Sequence, residues 1–374
     1  MEPVFLLLMI GERILMENKK MRPGLLITFA GALLAYLIGS GTASGQESVQ
    51  YFSSWGSVGG TITVAVVNFV VMFCCFMAYT YAGRHGTTDL ASVCEFYCGK
   101  VVGKIFTAFA WIFNACCFFF MISGFGNTLF QQWGLPLRIG YAIAIVLAVG
   151  TAVLGLQGIV NIIGKIGPVV VTFLFILGVI SAFTYFPGIS NGVELIRSGE
   201  VSVLQAGANP VLAGLSFGGC SILLVAAYMS SIGKELSGYK KKYTTVICII
   251  GAAAISVTVG ILGLCHLGNI AESSQAAIPN LLIANQVFGS ASGILGAVFA
   301  VIILLSIYST FCPMLWTCVS TFIKDEKSVK YKLACILAGI GVFIVDMFIP
   351  YATLVNIIMT YCGYTGGIVF LVLT

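Results

Sequence analysis

The chain has 374 residues, of which 59% are hydrophobic and only 8% are charged, with a formal net charge of +5 and a mean hydropathy of +1.06. A soluble domain carries roughly 25% charged residues, so a chain of this length and composition could not cover its surface in water. The composition therefore excludes a soluble enzyme, a nucleic-acid-binding protein and a disordered protein. It predicts an all-α integral membrane protein in contact with the lipid bilayer, with no nucleic acid and no cofactor.

Ten apolar runs come close to or exceed the ~20 residues that a membrane-spanning helix needs. They lie at about 24–52, 58–82, 104–128, 136–155, 166–186, 209–233, 243–268, 292–322, 333–348 and 352–374. The runs are continuously apolar, which excludes the alternating strands of a membrane β-barrel. The separators are short and carry most of the charge. We therefore predict a cytoplasmic N-terminal segment over residues 1–20, whose true start is open, and a single transmembrane domain over residues 21–374.

The lysines and arginines set the predicted orientation. With the N-terminus inside, all of the 18 basic residues except Arg138 and Arg197 fall in inner segments. Because cytoplasmic loops carry an excess of Lys and Arg, both termini are expected to be cytoplasmic. The sequence thus predicts a multi-pass protein of a bacterial-type cytoplasmic membrane, and it leaves the oligomeric state unknown.

The centre of the first span is a poor helix. Gly39, Gly41 and Gly45 fall within seven residues and are followed by the acidic Glu47. Each glycine costs about 1 kcal/mol relative to alanine in a helix interior. Unwound backbone is tolerated at membrane depth only where it lines a cavity or is buried in protein. We therefore predict that residues 39–45 are unwound and line a site.

The sixth span repeats this disturbance about half a chain length later, with a glycine-rich, hydroxyl-rich stretch around residues 216–221. Two five-helix halves that each open with an interrupted helix are typical of inverted-repeat transporters. The repeats would cover about residues 24–187 and 209–374, with the solute bound between the broken segments. The alternative is that these glycines are close-packing faces between helices.

Other polar residues within or beside the spans could have a functional or a structural role. Glu47 could bind a cationic group of the solute, carry a coupling proton or ligate a cation, or it could be a structural lock. Asn114 in span 3 could contact the solute or bond a neighbouring helix. We expect Lys165 to anchor the inner end of span 5 and His266 to be an interfacial bystander. Residues 276–288 could close the outer vestibule.

The first span resembles a known group of bacterial membrane proteins. Its segment Gly39-Ser40-Gly41-Thr42-Ala43-Ser44-Gly45-Gln46-Glu47, followed by Phe52 and Trp55-Gly56, resembles the first helix of YkvI-like proteins, whose pattern is close to G-x-G-F-A-S-G-Q-E. Its first three residues are similar to the GSG signature of the amino acid–polyamine–organocation superfamily. Thr42 stands where YkvI-like proteins usually carry Phe, and span 6 resembles the family only loosely. The resemblance implies ten transmembrane helices in the LeuT-like 5+5 inverted-repeat fold, with helices 1 and 6 broken.

A stretch of span 8 is similar to the sodium-coupled branch of that fold. In that branch, span 8 supplies a small residue and, three and four residues later, two hydroxyls; Ser306, Ser309 and Thr310 have this spacing. The resemblance implies a Na⁺ site completed by backbone carbonyls near Gly39 and Thr42. The alternative is that the span 8 hydroxyls bond carbonyls of their own helix.

Together these features predict a secondary active transporter that works by alternating access on a small organic solute, with an amino acid or amine as the best candidate. The solute carboxylate would bind N–H groups near Ser40, Gly41 and Thr42, and its ammonium would bind carbonyls of span 6. The full candidate set is Gly39, Ser40, Gly41, Thr42, Ser44, Glu47, Asn114, Ser216, Phe217 and Gly218. Coupling to Na⁺ is the first hypothesis. The alternatives are coupling to H⁺ through Glu47 and a transporter-fold receptor subunit that binds a solute without moving it.

Overall fold

The computed structural model describes residues 40–87, 90–153, 167–288, 293–323 and 325–373, together with single positions between 21 and 37. Within these residues the chain is built from helices and the turns that join them, which confirms the predicted all-α class. The α-helices are α1 (Ser40–Ser44), α2 (Val58–Arg84), α3 (Leu90–Trp133), α4 (Leu137–Val153), α5 (Gly167–Tyr185), α6 (Ile189–Arg197), α7 (Pro210–Glu235), α8 (Lys241–Gly268), α9 (Ile270–Ser273), α10 (Pro279–Phe288), α11 (Gly293–Ser320), α12 (Val329–Asp346) and α13 (Tyr351–Leu373).

Helices lie at the predicted positions of spans 2 to 10. Among the described residues, six helices are long and apolar enough to cross a membrane, and α7 adds a seventh if its two bent halves count as one span. The six are α2, α3, α5 with its continuation into α6, α8, α11 and α13. The protein is therefore a multi-pass membrane protein, whereas the count of ten spans and the 5+5 repeat remain predictions.

The predicted break in the first span is present but narrower than expected. Ser40–Ser44 is helical, and the chain leaves the α-helical path at Gly45, which has a φ of +90°. A π-helix (Ser48–Phe52) and a short 3₁₀ turn (Ser53–Trp55) follow. A Cβ at position 45 would lie 2.7 Å from both the backbone N and Oδ1 of Asn280, so glycine fits for its conformation and for space. The prediction of unwound backbone over the whole of 39–45 is wrong for residues 40–44, and Gly39 lies outside the described residues.

The sixth span also differs from expectation. Residues 216–221 are helical within α7, so the predicted unwinding there is wrong; α7 instead bends by 56° between Ala226 and Tyr228. The physical reason lies in how α7 packs between α2 and α13. A Cβ at Gly218 would lie 2.8 Å from Val71 Cγ1 of α2, and one at Gly219 would overlap the Gly363 carbonyl of α13. The glycines of α7 therefore allow close helix approach, as the alternative interpretation held.

Candidate functional site

Glu47 folds back across the Gly45 break onto α1. Its side chain is 4% exposed, and its carboxylate accepts a hydrogen bond from the Thr42 hydroxyl. A Cβ on Gly41 would lie 2.8 Å from Glu47 Cγ, which is closer than real Cβ contacts come. Glycine at position 41 thus leaves the space that the glutamate fills. The predicted location of the solute carboxylate, beside Gly41 and Thr42, is held by the protein's own carboxylate.

The π-helix that follows Glu47 brings span 1 against α7. The Phe217 ring lies 5.3 Å from the Tyr51 ring and 5.5 Å from the Phe52 ring, centroid to centroid. The Tyr51 hydroxyl is 3.5 Å from Ser216 Oγ, and Ser216 Oγ donates to the Thr360 carbonyl at 3.0 Å. All of these side chains are buried. The structure therefore brings the predicted residues Ser216 and Phe217 to the broken segment that carries Glu47.

Three other predicted residues lie in different settings. Gly218 faces α2 and not the break. The Asn114 amide donates to the Met314 carbonyl at 3.0 Å and to Cys318 Sγ at 3.3 Å, so it bonds a neighbouring helix. Ser44 Oγ donates to the Gly41 carbonyl at 3.0 Å and accepts from the Tyr351 hydroxyl at 2.9 Å, so it holds the end of α1. The backbone of Ser40 lies in α1, while Gly39 and Lys165 fall outside the described residues.

The candidate Na⁺ residues of α11 bond within their own helix. Ser309 Oγ and Thr310 Oγ1 both donate to the Ser306 carbonyl, at 2.7 and 3.0 Å. This is the alternative that the sequence left open, although a donating hydroxyl keeps lone pairs that can still face a cation. α11 contacts α1, so Thr42 and these hydroxyls belong to adjoining helices. Pro313 lies inside α11 and has no N–H, so the Ser309 carbonyl four residues earlier lacks its usual helical partner. That carbonyl oxygen is a further candidate ligand for a cation.

Asn280 joins the break to the segment that follows α8. Its Nδ2 donates to the carbonyls of Thr42 and Ala43 at 3.0 and 3.1 Å, and its Oδ1 lies 3.0 Å from His266 Nε2. His266 Nδ1 lies 3.0 Å from Ser273 Oγ, and the His266, Ser273 and Asn280 side chains are fully buried. The prediction that His266 is an interfacial bystander is therefore wrong. Sequence reasoning missed this role because the link from His266 to the break runs through Asn280, which no local pattern connects to Thr42 and Ala43.

The same segment is clamped on both sides. Gln46 Nε2 donates to the Ala276 and Ala277 carbonyls at 2.9 and 3.1 Å. On the other side, the Gln131 amide pairs with the backbone of Ile278, donating at 2.9 Å and accepting at 2.8 Å. Residues 276–280 therefore pack against the broken helix. That residues 276–288 close an outer vestibule stays a prediction.

Comparison with known proteins gives one distant sequence relative. No protein-family model matches the chain. It is 28% identical over 208 residues to the uncharacterized protein YyaD of Bacillus subtilis (strain 168), a match that covers 55% of this chain and 56% of YyaD. The match thus spans about half the length of the curated relative, and it leaves the family open.

Solved structures resemble the chain over most of its length. The structure of MhsT in complex with L-phenylalanine matches with a TM-score of 0.61 at 14% identity, over 95% of this chain and 89% of MhsT. The manganese transporter of Eremococcus coleocola matches at 0.57 and 15% identity, over 92% and 78%. Inward-facing Mhp1 matches at 0.55 and 15% identity, over 91% and 73%. These proteins are membrane transporters and not enzymes, and at such identities the likeness concerns the fold: the chain has the LeuT-type fold.

Proposed function

We propose that the chain is a secondary active transporter that moves a small, amine-bearing organic solute across the membrane by alternating access. The observation that carries this proposal is the buried carboxylate of Glu47 at the break of the first span. Intramembrane ionisable groups are costly and mark substrate or ion pathways. In LeuT-type folds, discontinuous helices form the central site. Within the described residues, the recorded partner of this carboxylate is the uncharged hydroxyl of Thr42, which leaves its charge available to a ligand.

Electrostatics favour an ammonium beside Glu47. Two like unit charges 4 Å apart repel by about 4 kcal/mol at an effective dielectric constant of about 20, and opposite charges attract by a similar amount. A solute carboxylate beside Gly41 and Thr42 would meet this repulsion, whereas a solute ammonium would be attracted. We therefore assign Glu47 to the ammonium of the solute, in place of the carboxylate site first expected there. Ser216 and Phe217 would line the far side of the same site.

The matched solved structures support a solute of amino-acid size, but they do not identify it. MhsT is bound to L-phenylalanine in the matched structure, which is consistent with a solute of amino-acid size. The manganese transporter has the same fold, so the fold alone does not select an amine. The choice of an amine rests on Glu47.

Two coupling ions remain as proposals. Proton coupling is favoured by Glu47, because a buried carboxylate can exchange a proton for the solute ammonium. Sodium coupling is favoured by the contact of α1 with α11, which sets Thr42 beside the helix of Ser306, Ser309 and Thr310. Hydroxyl and carbonyl oxygens suit a hard cation such as Na⁺. The hydrogen bonds that Ser309 and Thr310 donate to the Ser306 carbonyl leave their oxygen lone pairs free for a cation, so these contacts are compatible with both coupling ions.

The finer classification rests on sequence. We propose that the chain belongs to the amino acid–polyamine–organocation superfamily, close to the YkvI-like proteins, on the strength of residues 39–47. The distribution of basic residues supports a bacterial-type cytoplasmic membrane with both termini inside.

A thermal-shift screen of the purified protein tests the proposal. Amines and amino acids are added in NaCl and in choline chloride, and a ligand at 100 times its Kd should stabilise the protein by about 2.7 kcal/mol. We expect an amine-bearing hit that is lost in Glu47→Gln and retained in Glu200→Gln, an exposed control. A hit that is insensitive to Glu47→Gln would contradict the assigned site. Binding without uptake into proteoliposomes would instead identify a solute receptor.

A further inference from the structure

The surroundings of Glu47 hold no basic side chain in the part of the chain that the structure describes. Every described lysine and arginine is exposed or half-buried, whereas Glu47 is buried. The recorded hydrogen-bond partner of its carboxylate is Thr42, and the ionisable side chains that interact with it electrostatically include Tyr51, Cys117 and Cys220. A solute at this site therefore meets one acidic group and no basic group of the described residues.

Backbone N–H groups at the break are already hydrogen-bonded. Gly45 N donates to the Gly41 carbonyl at 3.2 Å, and Gln46 N donates to Ser44 Oγ at 3.2 Å. Val49 N donates to the Gly45 carbonyl at 3.0 Å. A solute carboxylate needs free donors, and these three N–H groups are each used within the segment itself.

The donors of α7 that face this region are also used. Ser216 and Phe217 lie in the continuous helical part of α7, where each backbone N–H bonds the carbonyl four residues earlier. Ser216 Oγ donates to the Thr360 carbonyl at 3.0 Å, and Cys220 Sγ donates to the Met359 carbonyl at 2.9 Å. At these positions α7 therefore contributes side-chain surface, and its donors are directed at itself and at α13.

This arrangement treats the two charged groups of an amino acid differently. An ammonium would face the Glu47 carboxylate and the buried rings of Tyr51 and Phe217, and the faces of aromatic rings attract cations. A carboxylate on the same solute would be buried beside Glu47 and repelled by it. Burying a charge without a counter-ion or donors is strongly disfavoured.

We propose that the solute is an organic amine that lacks a carboxylate and carries an apolar substituent. This inference rests on the proposed function and narrows its substrate class, because Glu47 balances the charge of one ammonium and the described site balances no anion. The apolar substituent follows from the rings of Tyr51, Phe52 and Phe217, which are all buried at the break. Amino acids have a suitable size but are rejected through their carboxylate.

Two sets of three probes, each built on one carbon skeleton, test this inference. The first set is 2-phenylethylamine, L-phenylalaninamide and L-phenylalanine, and the second is 3-methylbutylamine, L-leucinamide and L-leucine. In each set the ammonium is kept while the carboxylate is absent, replaced by a neutral amide, or present. Isothermal titration calorimetry uses the full-length wild-type protein in lipid nanodiscs at pH 7, in NaCl and in choline chloride. In at least one set, we expect both carboxylate-free amines to bind about tenfold or more tightly than the amino acid in both salts.

The variants connect this preference to Glu47. Glu47→Gln should weaken the binding of the amines by about tenfold or more. Glu200→Gln, at an exposed glutamate, should keep the wild-type order of affinities. The comparison of probes is made on the wild type, so it holds even if Glu47→Gln does not fold.

The outcomes separate this inference from the proposed function. An amino acid that binds as tightly as its amine, in either salt, and is lost in Glu47→Gln would overturn the rejection of carboxylates and leave the Glu47 assignment standing. Amine binding that Glu47→Gln leaves intact would contradict the charge balance on which both rest. If none of the six probes binds, the inference is overturned, and the wider amine screen described above decides the proposed function separately.

Discussion

The carboxylate of Glu47 lies in the space that a side chain on Gly41 would occupy, six residues earlier in the chain. The position of Glu47 therefore depends on Gly41. Glycine at position 41 leaves space beside α1, and the change of backbone direction at Gly45 turns the Glu47 side chain into that space. This arrangement buries a carboxyl group at the break of the first span.

Gly41→Ala should displace Glu47 and disrupt the site. Overpacking in a filled space costs about 1–3 kcal/mol, so we expect a lower melting temperature and loss of ligand binding. Gly59→Ala is the matched control, because a Cβ at Gly59 would have no neighbour within 4 Å. Equal melting temperatures for the two variants, measured in the same detergent, would show that Glu47 does not depend on Gly41.

Asn280→Asp should loosen the segment that covers the break. The amide N–H groups that now meet the Thr42 and Ala43 carbonyls would be replaced by oxygen, which leaves buried acceptors unpaired at a cost of about 1–3 kcal/mol. Hydrogen exchange in residues 40–47 and 276–288 should accelerate by about tenfold or more. Gln275→Glu, at an exposed position of the same covering segment, should leave the exchange rates unchanged. Unchanged exchange in Asn280→Asp would contradict the role of this contact.

The two histidines should carry their ring protons on different nitrogens. Because Asn280 Nδ2 faces two carbonyls, its Oδ1 faces His266, and His266 Nε2 must be the donor. In the exposed His85, Nδ1 lies 2.8 Å from the Tyr81 carbonyl, so Nδ1 must be the donor there. Nitrogen-15 NMR of histidine-labelled protein checks both, with His85→Gln to assign the signals. A protonated Nδ1 with a bare Nε2 in His266 would contradict the described network.

Gly219→Ala should destabilise the packing of α7 against α13. A Cβ there would overlap the Gly363 carbonyl of α13, and the strain should cost about 1–3 kcal/mol. Gly341→Ala on the exposed face of α12 has open space around it and is the control. We expect a lower melting temperature for Gly219→Ala alone. If both variants melt like the wild type, the close packing of α7 against α13 is not as described.

The sequence predicted the helical class, the positions of helices from span 2 onward and the interruption of span 1, because these depend on local composition and apolar length. It also singled out Glu47, since a carboxylate within an apolar run is expensive in lipid. The direction in which Glu47 turns depends on the backbone at Gly45, which no local pattern reveals.

The errors have a shared physical cause. A glycine-rich sequence such as residues 216–221 looks the same whether it unwinds a helix or lets two helices approach closely. Only the positions of α2 and α13 decide between these outcomes. The prediction for His266 is wrong for a similar reason. Its connection to the break runs through Asn280, which bonds carbonyls 237 and 238 positions before it in the chain. Contacts of such sequence separation leave no spacing signal in a single sequence.

The most direct test of the central claim is accumulation of radiolabelled amines and amino acids in proteoliposomes under an imposed proton or sodium gradient. We predict that the wild type concentrates at least one amine-bearing solute, that Glu200→Gln does the same, and that Glu47→Gln loses accumulation by tenfold or more under either gradient. Accumulation by Glu47→Gln at the wild-type level would contradict the account, because Glu47 could then be neither the ammonium site nor the coupling group.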